Sequence, residues 1–517
     1  MPNGVPSAPC RVDDWVRIHS ETRPAAPALS GALEWTYAQL ETAVAKAARR
    51  FEALGLAPKQ RVLLRAQTSP ELLLGLLGLW RLGCSAVPIH PGLGASEVWH
   101  VLMDCGARHV LHADATDVSG LNFGHHASAD AVQQHLLPSA HTLLHSEMSS
   151  SHGDTNPLRD SGDGEALVLY TSGTTGSPKG VAFSHTQLIH AERGLQPLRP
   201  LFPQDRYLHV APLHHVAGLE CALSVLAAGG CHVFSPLGTA LTKTPDQLFQ
   251  SLRDARASVV FLVPTLLARL LECEHAQRDS LPHLRLLVYG GAPASLDLVE
   301  RAIDRFASIL AQGYGLTEAC GAVTWLGTEL HAVFDPKIQR SSGTLLPEMT
   351  SQVVRLDGTM ASGAEPGELW LKGVKVALGE GGWLRTGDLG YFDEHQRWVI
   401  VDRLKDIIIS GGENVASREV EAVLQLHSDV VEVAVVGVPS PVWGEAVAAF
   451  VVLREGVPGD EAHATALIQF AKNQLAGFKA PKHIVWCRDL PRTVAGKIDK
   501  KLLRAQPNPD ATVLNDH

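Results

Sequence analysis

Apolar strand-like runs alternate with amphipathic helical patterns over about the first 400 residues, and this alternation limits the possible folds more than any other feature. Helical patterns lie between several of the runs, as at 220–228 and 245–255. Buried strands are predicted at 62–66, 165–171, 207–211, 258–263 and 285–289. Strands that alternate with helices in this way predict a layered α/β fold with largely parallel sheets.

The pattern changes near Asp402, where a compact α+β unit is predicted. Ser417 is predicted to cap a helix whose apolar face is Val420, Val423 and Leu424. The other predicted elements of this unit are strands at 406–410, 430–438 and 446–453 and a helix at 461–475. A chain of 517 residues is long enough for two or more domains. We expect a large N-terminal domain of layered sheets and helices at 1–402 and a small C-terminal domain at 403–517.

Composition excludes several classes of function. The formal net charge of −10 argues against a nucleic-acid or anionic-membrane partner. The apolar run at 72–80 is far shorter than the roughly 20 residues that span a bilayer, so it predicts a buried helix. The N-terminus lacks the apolar stretch of a signal peptide, which predicts a cytoplasmic protein. Composition leaves the oligomeric state open between a monomer and a homodimer.

A loop rich in glycine and hydroxyl groups follows the predicted strand at 165–171. Residues 170–180 read Tyr-Thr-Ser-Gly-Thr-Thr-Gly-Ser-Pro-Lys-Gly and contain five Ser/Thr hydroxyls, three glycines and one lysine. Glycines let backbone N–H groups approach a phosphate, while hydroxyls and a lysine add hydrogen bonds and charge. The loop is not a Walker A motif, because Pro178 rather than glycine precedes Lys179. Composition alone also fits an ordinary turn between strands.

The sequence of this loop strongly resembles the phosphate loop of the adenylate-forming superfamily, which includes acyl-CoA synthetases, adenylation domains and luciferases. Six further segments between Tyr289 and Ile498 follow in the superfamily's order. The chain is therefore identified as similar to the acyl-CoA and aryl-CoA ligases. The resemblance implies an ATP-dependent enzyme that forms an acyl-adenylate, uses Mg²⁺, and passes the acyl group to the thiol of coenzyme A. It also implies that the C-terminal domain is a mobile lid.

The resemblance assigns roles to individual residues. Tyr314 is implied to face adenine, Thr317 to bind the α-phosphate, Glu318 to hold Mg²⁺ and Asp388 to accept hydrogen bonds from the ribose. The residues implied to contact ATP or AMP are Thr171, Ser172, Gly173, Thr174, Thr175, Lys179, Gly290, Gly291, Ala292, Gly313, Tyr314, Gly315, Asp388 and Arg403.

Two lysines receive roles from the resemblance alone. Lys497 is implied to be the catalytic lysine, acting with Thr317, Glu318 and His215, and Lys405 marks the hinge between the domains. By composition, Lys497 would be a surface lysine, and Arg403 and Lys405 would form ion pairs in a linker.

The segment 212–218 resembles the border of the acyl pocket in acyl-CoA and aryl-CoA ligases. Apolar walls of this kind favour an aromatic or a short-to-medium-chain aliphatic acid. The absence of an aspartate at 214–218 argues against an α-amino acid. The pocket residues are predicted to be His215, Val216, Gly218, Val263, Pro264, Gly321 and Val323, with Gly290 and Gly315 beside them.

A second group of residues resembles the CoA-contacting segments of aryl-CoA ligases. These residues are Gly411, Gly412, Trp443, Phe478 and Lys482. Phe478 fits equally well as a loop aromatic packed on the domain core. Two rivals remain open: an enzyme that loads the phosphopantetheine of a separate carrier protein, and a nucleotide-binding regulator without catalysis. The chain also departs from the family at 374–382, which is shorter than usual.

Overall fold

A computed structural model describes residues 9–113, 132–139, 164–171, 178–238, 244–377, 379–492 and 498–505. The chain divides into two compact units. The first unit consists of Met1–Thr350 and Leu371–Leu384, and the second unit of Ser351–Trp370 and Arg385–His517. The division at 402/403 stays a prediction.

The first unit contains two sheets and the helices that cover them. Its strands are β1 Pro27–Gly31, β2 Trp35–Thr36, β3 Arg61–Arg65, β4 Ser85–Ile89, β5 His109–His112, β6 Gln133–Leu136, β7 Glu165–Thr171, β8 Lys179–Ser184, β9 Arg206–Leu208, β10 Cys231–Phe234, β11 Val259–Leu262, β12 Leu286–Gly290, β13 Leu310–Leu316, β14 Gly321–Leu326 and β15 Ser341–Leu345. Its helices are α1 Asp14–Thr22, α2 Tyr37–Ala53, α3 Pro70–Leu82, α4 Ala95–Cys105, α5 His185–Leu195, α6 Val216–Ala228, α7 Pro245–Asp254, α8 Pro264–Glu272, α9 Leu296–Phe306 and α10 Pro336–Gln339.

Both sheets of the first unit are largely parallel. One has the strand order β6-β5-β3-β4-β7-β8, and its neighbours are parallel up to the antiparallel β7–β8 pair. The other has the order β2-β1-β10-β9-β11-β12-β13-β14-β15 and is parallel from β1 to β13. The predicted α/β fold is confirmed.

Helix α3 shows why the apolar run at 72–80 becomes a buried helix. Ser69 accepts a hydrogen bond from the backbone N–H of Leu72, and Pro70 occupies the first turn, where no donor is needed. Gly83 ends the helix in the left-handed conformation with φ +83°. The run from Leu72 to Trp80 is buried, as predicted.

Two predicted boundaries move. The helix predicted at 220–228 begins at Val216, because the apolar pattern continues backward to His215, which takes the extended N-cap conformation. The strand predicted at 207–211 ends at Leu208, because β9 pairs with β10 and β11 only over Arg206–Leu208.

The second unit is an α+β assembly. Its strands are β16 Thr350–Val354, β17 Gly367–Lys372, β18 Leu384–Phe392, β19 Arg397–Arg403, β20 Ile407–Ser410, β21 Glu413–Ala416, β22 Val430–Ser440, β23 Gly444–Leu453 and β24 His483–Cys487. Its helices are α11 Ser417–Leu424, α12 Glu461–Lys472 and α13 Lys500–Arg504. Strands β16 to β19 are neighbours in that order, and a separate sheet has the order β21-β20-β23-β22, with β24 parallel to β23.

The predicted cap of α11 is wrong. Ala416 occupies the N-cap position, and Ser417 is the first helical residue. Instead, the carboxylate of Asp402 accepts a hydrogen bond from the backbone N–H of Arg418 at 3.2 Å and lies 3.4 Å from the hydroxyl of Ser417. A distant strand residue therefore supplies the oxygen that a local serine was expected to supply, and this binds α11 to β19.

Among the described residues, no helix combines the length and apolar character that a membrane span requires.

Candidate active site

Glycines bring the ends of β12 and β13 close together. Gly290 is paired with Gly313, and a Cβ atom at Gly290 would lie 2.2 Å from the carbonyl oxygen of Gly313. Gly291 follows with φ +76°. We call Gly290, Gly291, Gly313 and Gly315 the glycine crevice. The glycines let main chains pack closely at the carboxyl end of a parallel sheet, which is where open α/β sheets bind their ligands.

Strand β13 leads directly into the predicted catalytic residues. Tyr314 lies between two glycines and is half-buried. Thr317 and Glu318 follow in a 3₁₀ turn, Thr317–Ala319, and both side chains are half-buried. Cys320 ends the turn with a left-handed φ of +55°. The structure thus brings Tyr314, Thr317 and Glu318 onto one edge of the sheet beside the glycine crevice.

A β-bulge in β14 determines which side chains face the sheet's apolar side. Tyr314 pairs with Thr324 and Gly315 with Ala322, so Val323 is the additional residue of the bulge. A bulge changes the alternation of side chains along a strand. As a result, Ala322 packs in an apolar cluster with Ala217 and Val263. We call Ala217, Val263 and Ala322 the small-residue cluster.

The other predicted acyl-pocket residues lie on the same elements. His215 is the N-cap of α6, Val216 is its first residue, and Pro264 begins α8. Gly218 approaches the backbone so closely that a Cβ atom would lie 2.2 Å from the carbonyl oxygen of Pro212. Gly321 has φ +102° at the start of β14. These residues therefore stand on the elements that carry the small-residue cluster.

Three histidine rings meet in front of α6. The ring of His214 lies 5.0 Å from that of His90 and 4.6 Å from that of His215. Burial lowers the pKa of His214 to about 2, and the neighbouring histidines add to the effect. Both ring nitrogens of His214 are buried, and no described residue forms a hydrogen bond with either of them. His214 is therefore a neutral, apolar support behind the more exposed His215.

The connection after β17 forms hydrogen bonds with this region. The backbone N–H of Ala377 donates to the carbonyl of Glu318 at 2.8 Å. The ammonium group of Lys375 donates to the carbonyl of Ala322. Glu220 accepts the N–H of that same residue at 3.0 Å. The connection thus holds the backbone at Glu318, the predicted Mg²⁺ ligand, and at Ala322, four residues later.

Beside these contacts lies a group of four charged residues, which we call the buried charge group. Glu192, Arg199 and Lys375 are buried, and Glu220 is half-buried. The hydroxyl of Ser224 joins Arg199 to Glu192. Burial raises the pKa of Glu192 to about 7, although Arg199 opposes the shift. Burial lowers the pKa of Lys375, and Glu220 opposes it. Sequence analysis missed this group; the carboxylate of Glu220 within the otherwise apolar α6 was its only signal.

The predicted phosphate loop joins β7 to β8. Thr171 and Lys179 pair across these two strands at the end where the loop begins, and Lys179 is exposed. The predicted phosphate-binding residues Ser172, Gly173, Thr174 and Thr175 lie outside the described residues.

In the second unit, Asp388 and Arg403 are brought together. They are register partners in the antiparallel β18–β19 pair, and the guanidinium of Arg403 lies 2.9 Å from the carboxylate of Asp388. The Asp388 side chain is only 3% exposed, whereas that of Arg403 is 46% exposed. An oriented, partly shielded carboxylate of this kind suits the two hydroxyl donors of a ribose.

The predicted hinge residue Lys405 lies in the 3₁₀ turn Leu404–Asp406. Arg504 of α13 donates to the carbonyl of Lys405 at 3.2 Å and to the carboxylate of Asp406 at 2.6 Å. Lys497 lies outside the described residues, between Arg492 and Ile498, which form an antiparallel bridge.

Most of the predicted CoA residues form one patch on the second unit. Gly411 and Gly412 connect β20 to β21 with positive φ, and a Cβ atom at Gly411 would lie 3.1 Å from the ring of Trp443. The ammonium of Lys482 lies 5.3 Å from the centre of that ring, and burial lowers its pKa with help from Lys472. Phe478 instead packs against the apolar core of the unit.

Comparison with known proteins gives a consistent result. A family model described as AMP-binding enzyme matches residues 16–379, and one described as AMP-binding enzyme C-terminal domain matches residues 419–497. Feruloyl-CoA synthase from Amycolatopsis sp is 32% identical over 495 residues, which are 92% of this chain and 94% of that protein. 2-Succinylbenzoate–CoA ligase from Enterococcus faecalis is 30% identical over 502 residues, 94% of this chain and 97% of that protein.

A solved structure, that of ATP-bound MatB from Rhodopseudomonas palustris, has a TM-score of 0.85 at 27% identity and covers 96% of this chain and 98% of that one. The family models together span most of the chain, and the similar proteins align over nearly their whole length. The chain therefore belongs to the AMP-binding enzyme family and is an ATP-dependent, AMP-forming acid–thiol ligase.

Proposed function

We propose that this ligase activates an aromatic or short-to-medium-chain carboxylic acid and transfers the acyl group to CoA. The observation that carries the proposal is the meeting of the glycine crevice with the small-residue cluster. A Cβ atom at Gly291 would lie 3.9 Å from Cγ1 of Val263. A nucleotide in the crevice and an acid in the cluster would therefore be neighbours, as an acyl-adenylate requires.

In the first half-reaction, a carboxylate oxygen of the acid attacks the α-phosphorus of ATP. The new bond is acyl O–P, and the bond from phosphorus to the pyrophosphate oxygen breaks. We assign adenine to the face of Tyr314, the ribose to Asp388 and Arg403, and the α-phosphate to Thr317. Lys497 and the hydroxyls of the loop between β7 and β8 offset the negative charge of the phosphoryl oxygens.

Glu318 is the residue that we propose to hold Mg²⁺. Its carboxylate is half-buried, and the described residues provide no cation within ion-pair distance of it. A carboxylate in this state fits a hard cation that prefers oxygen ligands. When bound, Mg²⁺ would neutralise charge on the phosphate oxygens.

In the second half-reaction, a thiolate sulfur attacks the acyl carbon of the adenylate. A C–S bond forms, the bond from the acyl carbon to the phosphate oxygen of AMP breaks, and AMP leaves with the electron pair of that bond. We propose that the part of the chain that follows Lys405 changes position between the two steps, so that Lys497 serves the first step and the CoA residues serve the second.

The size of the side chains supports the proposed acid class. Ala217 and Ala322 are small, and Val263 completes an apolar wall without a charged group. Such a wall accommodates a ring or a short chain by burying apolar surface. The names of the similar proteins, feruloyl-CoA synthase and 2-succinylbenzoate–CoA ligase, point to aromatic acids.

The patch at Trp443 supports CoA as the acceptor. An aromatic face with a lysine beside it suits the adenine ring and the phosphates of CoA. A carrier protein's phosphopantetheine carries the same thiol but no adenine, so it remains the alternative acceptor.

An ATP–pyrophosphate exchange assay with a panel of acids tests the proposal. We expect exchange with benzoic, anthranilic, ferulic or medium-chain fatty acids, and little exchange with α-amino acids. Adding CoA or a purified acyl carrier protein then identifies the acceptor. Exchange with amino acids alone, or thioester formed only on the carrier protein, would contradict the proposal.

A further inference from the structure

Three potential metal ligands converge in the second unit, on residues to which no role in the acid or nucleotide chemistry has been assigned. His427 and Asp429 lie in the connection between α11 and β22, and His463 lies in the first turn of α12. One ligand atom from each side chain lies within 4.8 Å of the others. We call these residues the His-Asp-His cluster.

The distances within the cluster are close to those of a metal site. Nε2 of His463 lies 3.4 Å from Oδ2 of Asp429, and Nδ1 of His427 lies 3.9 Å from the same oxygen. Zn–N and Zn–O bonds of about 2.1 Å at tetrahedral angles place neighbouring ligand atoms about 3.4 Å apart. The first distance already fits, and a small rotation of the His427 side chain would supply the second.

The state of the two nitrogens is the second observation. Nε2 of His463 is buried and has no hydrogen-bond partner among the residues that the structure describes, although it lies 3.4 Å from the carboxylate of Asp429. A buried polar atom left without a partner is uncommon and needs an explanation. Nδ1 of His427 carries no proton, because its lone pair accepts the backbone N–H of Asp429 at 3.3 Å, and this long hydrogen bond has to break before the nitrogen can bind a metal ion.

The surrounding structure holds these side chains in place. The ring of His427 packs edge-on against Phe470 at 5.0 Å, and the ring of His463 packs against Trp486 at 5.8 Å. The backbone carbonyl of Asp429 accepts the N–H of Arg454 at 2.9 Å. The three side chains are 17–31% exposed, so the cluster is shielded on the protein side and open to solvent on the other.

We propose that the His-Asp-His cluster binds Zn²⁺ or a similar borderline divalent cation, with water in the fourth position. Two imidazoles and one carboxylate are ligands typical of zinc, whereas Mg²⁺ prefers an all-oxygen site. The bound ion would fasten α12 to the connection between α11 and β22 and so stabilise the second unit.

The test is a Zn²⁺ titration of the chelator-treated full chain against a chromophoric competitor. We compare wild type, His463→Gln and the control His395→Gln, which alters an exposed histidine of the same unit with one carboxylate, Glu394, at 3.7 Å. We expect wild type and the control to bind Zn²⁺ at one site with equal affinity. In His463→Gln, the affinity of this site should fall by at least about 10-fold. Zn²⁺ should raise the thermal unfolding midpoint of wild type but not that of His463→Gln. Mg²⁺ should raise the midpoint of neither protein.

Co²⁺ provides an independent readout, because a tetrahedral site gives visible absorption bands that the free ion lacks. Asp429→Asn serves as a second ligand variant if His463→Gln does not fold. The chain contains 25 histidines, so weak background binding is expected in every variant. Equal Zn²⁺ affinity in wild type, His463→Gln and Asp429→Asn would overturn the proposal.

Discussion

The buried charge group shows how single residues in this enzyme depart from their ordinary chemistry. Glu192 is buried, and the hydroxyl of Ser224 links it to Arg199. Burial disfavours the ionised carboxyl, so the pKa of Glu192 rises to about 7. Folding therefore takes up a proton between the ordinary carboxyl pKa and neutrality.

This uptake makes stability depend on pH. From about pH 4.5 to about 7, the unfolded state has lost the proton that the folded state keeps, so the free energy of unfolding falls as pH rises. The full loss would be about 3 kcal/mol. Glu192→Gln has no ionisable group at this position. We therefore expect the difference between its thermal unfolding midpoint and that of wild type to shift in favour of the variant as the pH rises from 5 to 8.

Thermal unfolding at several pH values measures this difference. Glu272→Gln, which alters an exposed carboxyl at the end of α8, is the matched control and should follow the wild-type curve. Parallel curves for wild type and Glu192→Gln would show that Glu192 keeps an ordinary pKa.

Residues of this kind explain the limits of the sequence analysis. Glu318 and Asp388 could be identified because they stand in recognisable motifs. Glu220, Lys375 and Asp402 could not, because their partners are brought near only by folding. The wrong cap at Ser417 has the same cause: a local pattern cannot reveal a carboxylate that arrives from another strand.

At the scale of elements, the central strands could be predicted, because a short, buried apolar run is compatible with few other secondary structures. Strand β7 has the predicted bounds, and β12 begins one residue later than predicted. The bulge at Val323 was not predictable, since it exists only in the register between β14 and β13. Val323, which is predicted to line the acyl pocket, is the additional residue of this bulge, and its place in the pocket stays a prediction.

Close backbone contact between β13 and β14 yields a prediction for Gly315. A Cβ atom there would lie 2.2 Å from the carbonyl oxygen of Gly321. Gly315→Ala must separate the two strands, at a cost of about 1–3 kcal/mol. We expect a lower unfolding midpoint and the loss of most ATP–pyrophosphate exchange activity.

Gly477→Ala is the control for this experiment, because a Cβ atom at Gly477 would meet no atom within 4 Å. It should retain both stability and exchange. If Gly315→Ala behaved like Gly477→Ala, the crevice would be more pliable than its distances indicate.

At the scale of the whole molecule, two units must serve two half-reactions. The proposed pivot at Lys405 is held within the second unit by Arg504, and Asp402 binds β19 to α11. These contacts join residues before Lys405 to residues after it, so a rotation at Lys405 has to break the hydrogen bonds between Asp402 and α11. Asp388 and Arg403 precede Lys405 and would not move with the part of the chain that follows it.

Separating the half-reactions tests this scheme. Lys497→Ala should lower the rate of ATP–pyrophosphate exchange by on the order of 10²–10³. Thioester formation from synthetic acyl-adenylate and CoA should remain near the wild-type rate, because Lys497 is assigned to the first step alone.

Lys501→Ala removes an exposed lysine nearby and should leave both rates unchanged. Equal impairment of the two half-reactions by Lys497→Ala would mean that one arrangement of the units serves both steps.

The glycine crevice and the small-residue cluster differ in what they are made of. The glycine crevice consists of main-chain atoms, and a side-chain substitution does not remove these atoms. A side chain added at Gly290 or Gly315 would collide with the backbone. Ala217 and Ala322 contribute one methyl group each. Under the proposed assignment, substitutions can reshape the surface that meets the acid one carbon at a time, while the surface that meets the nucleotide tolerates almost no variation.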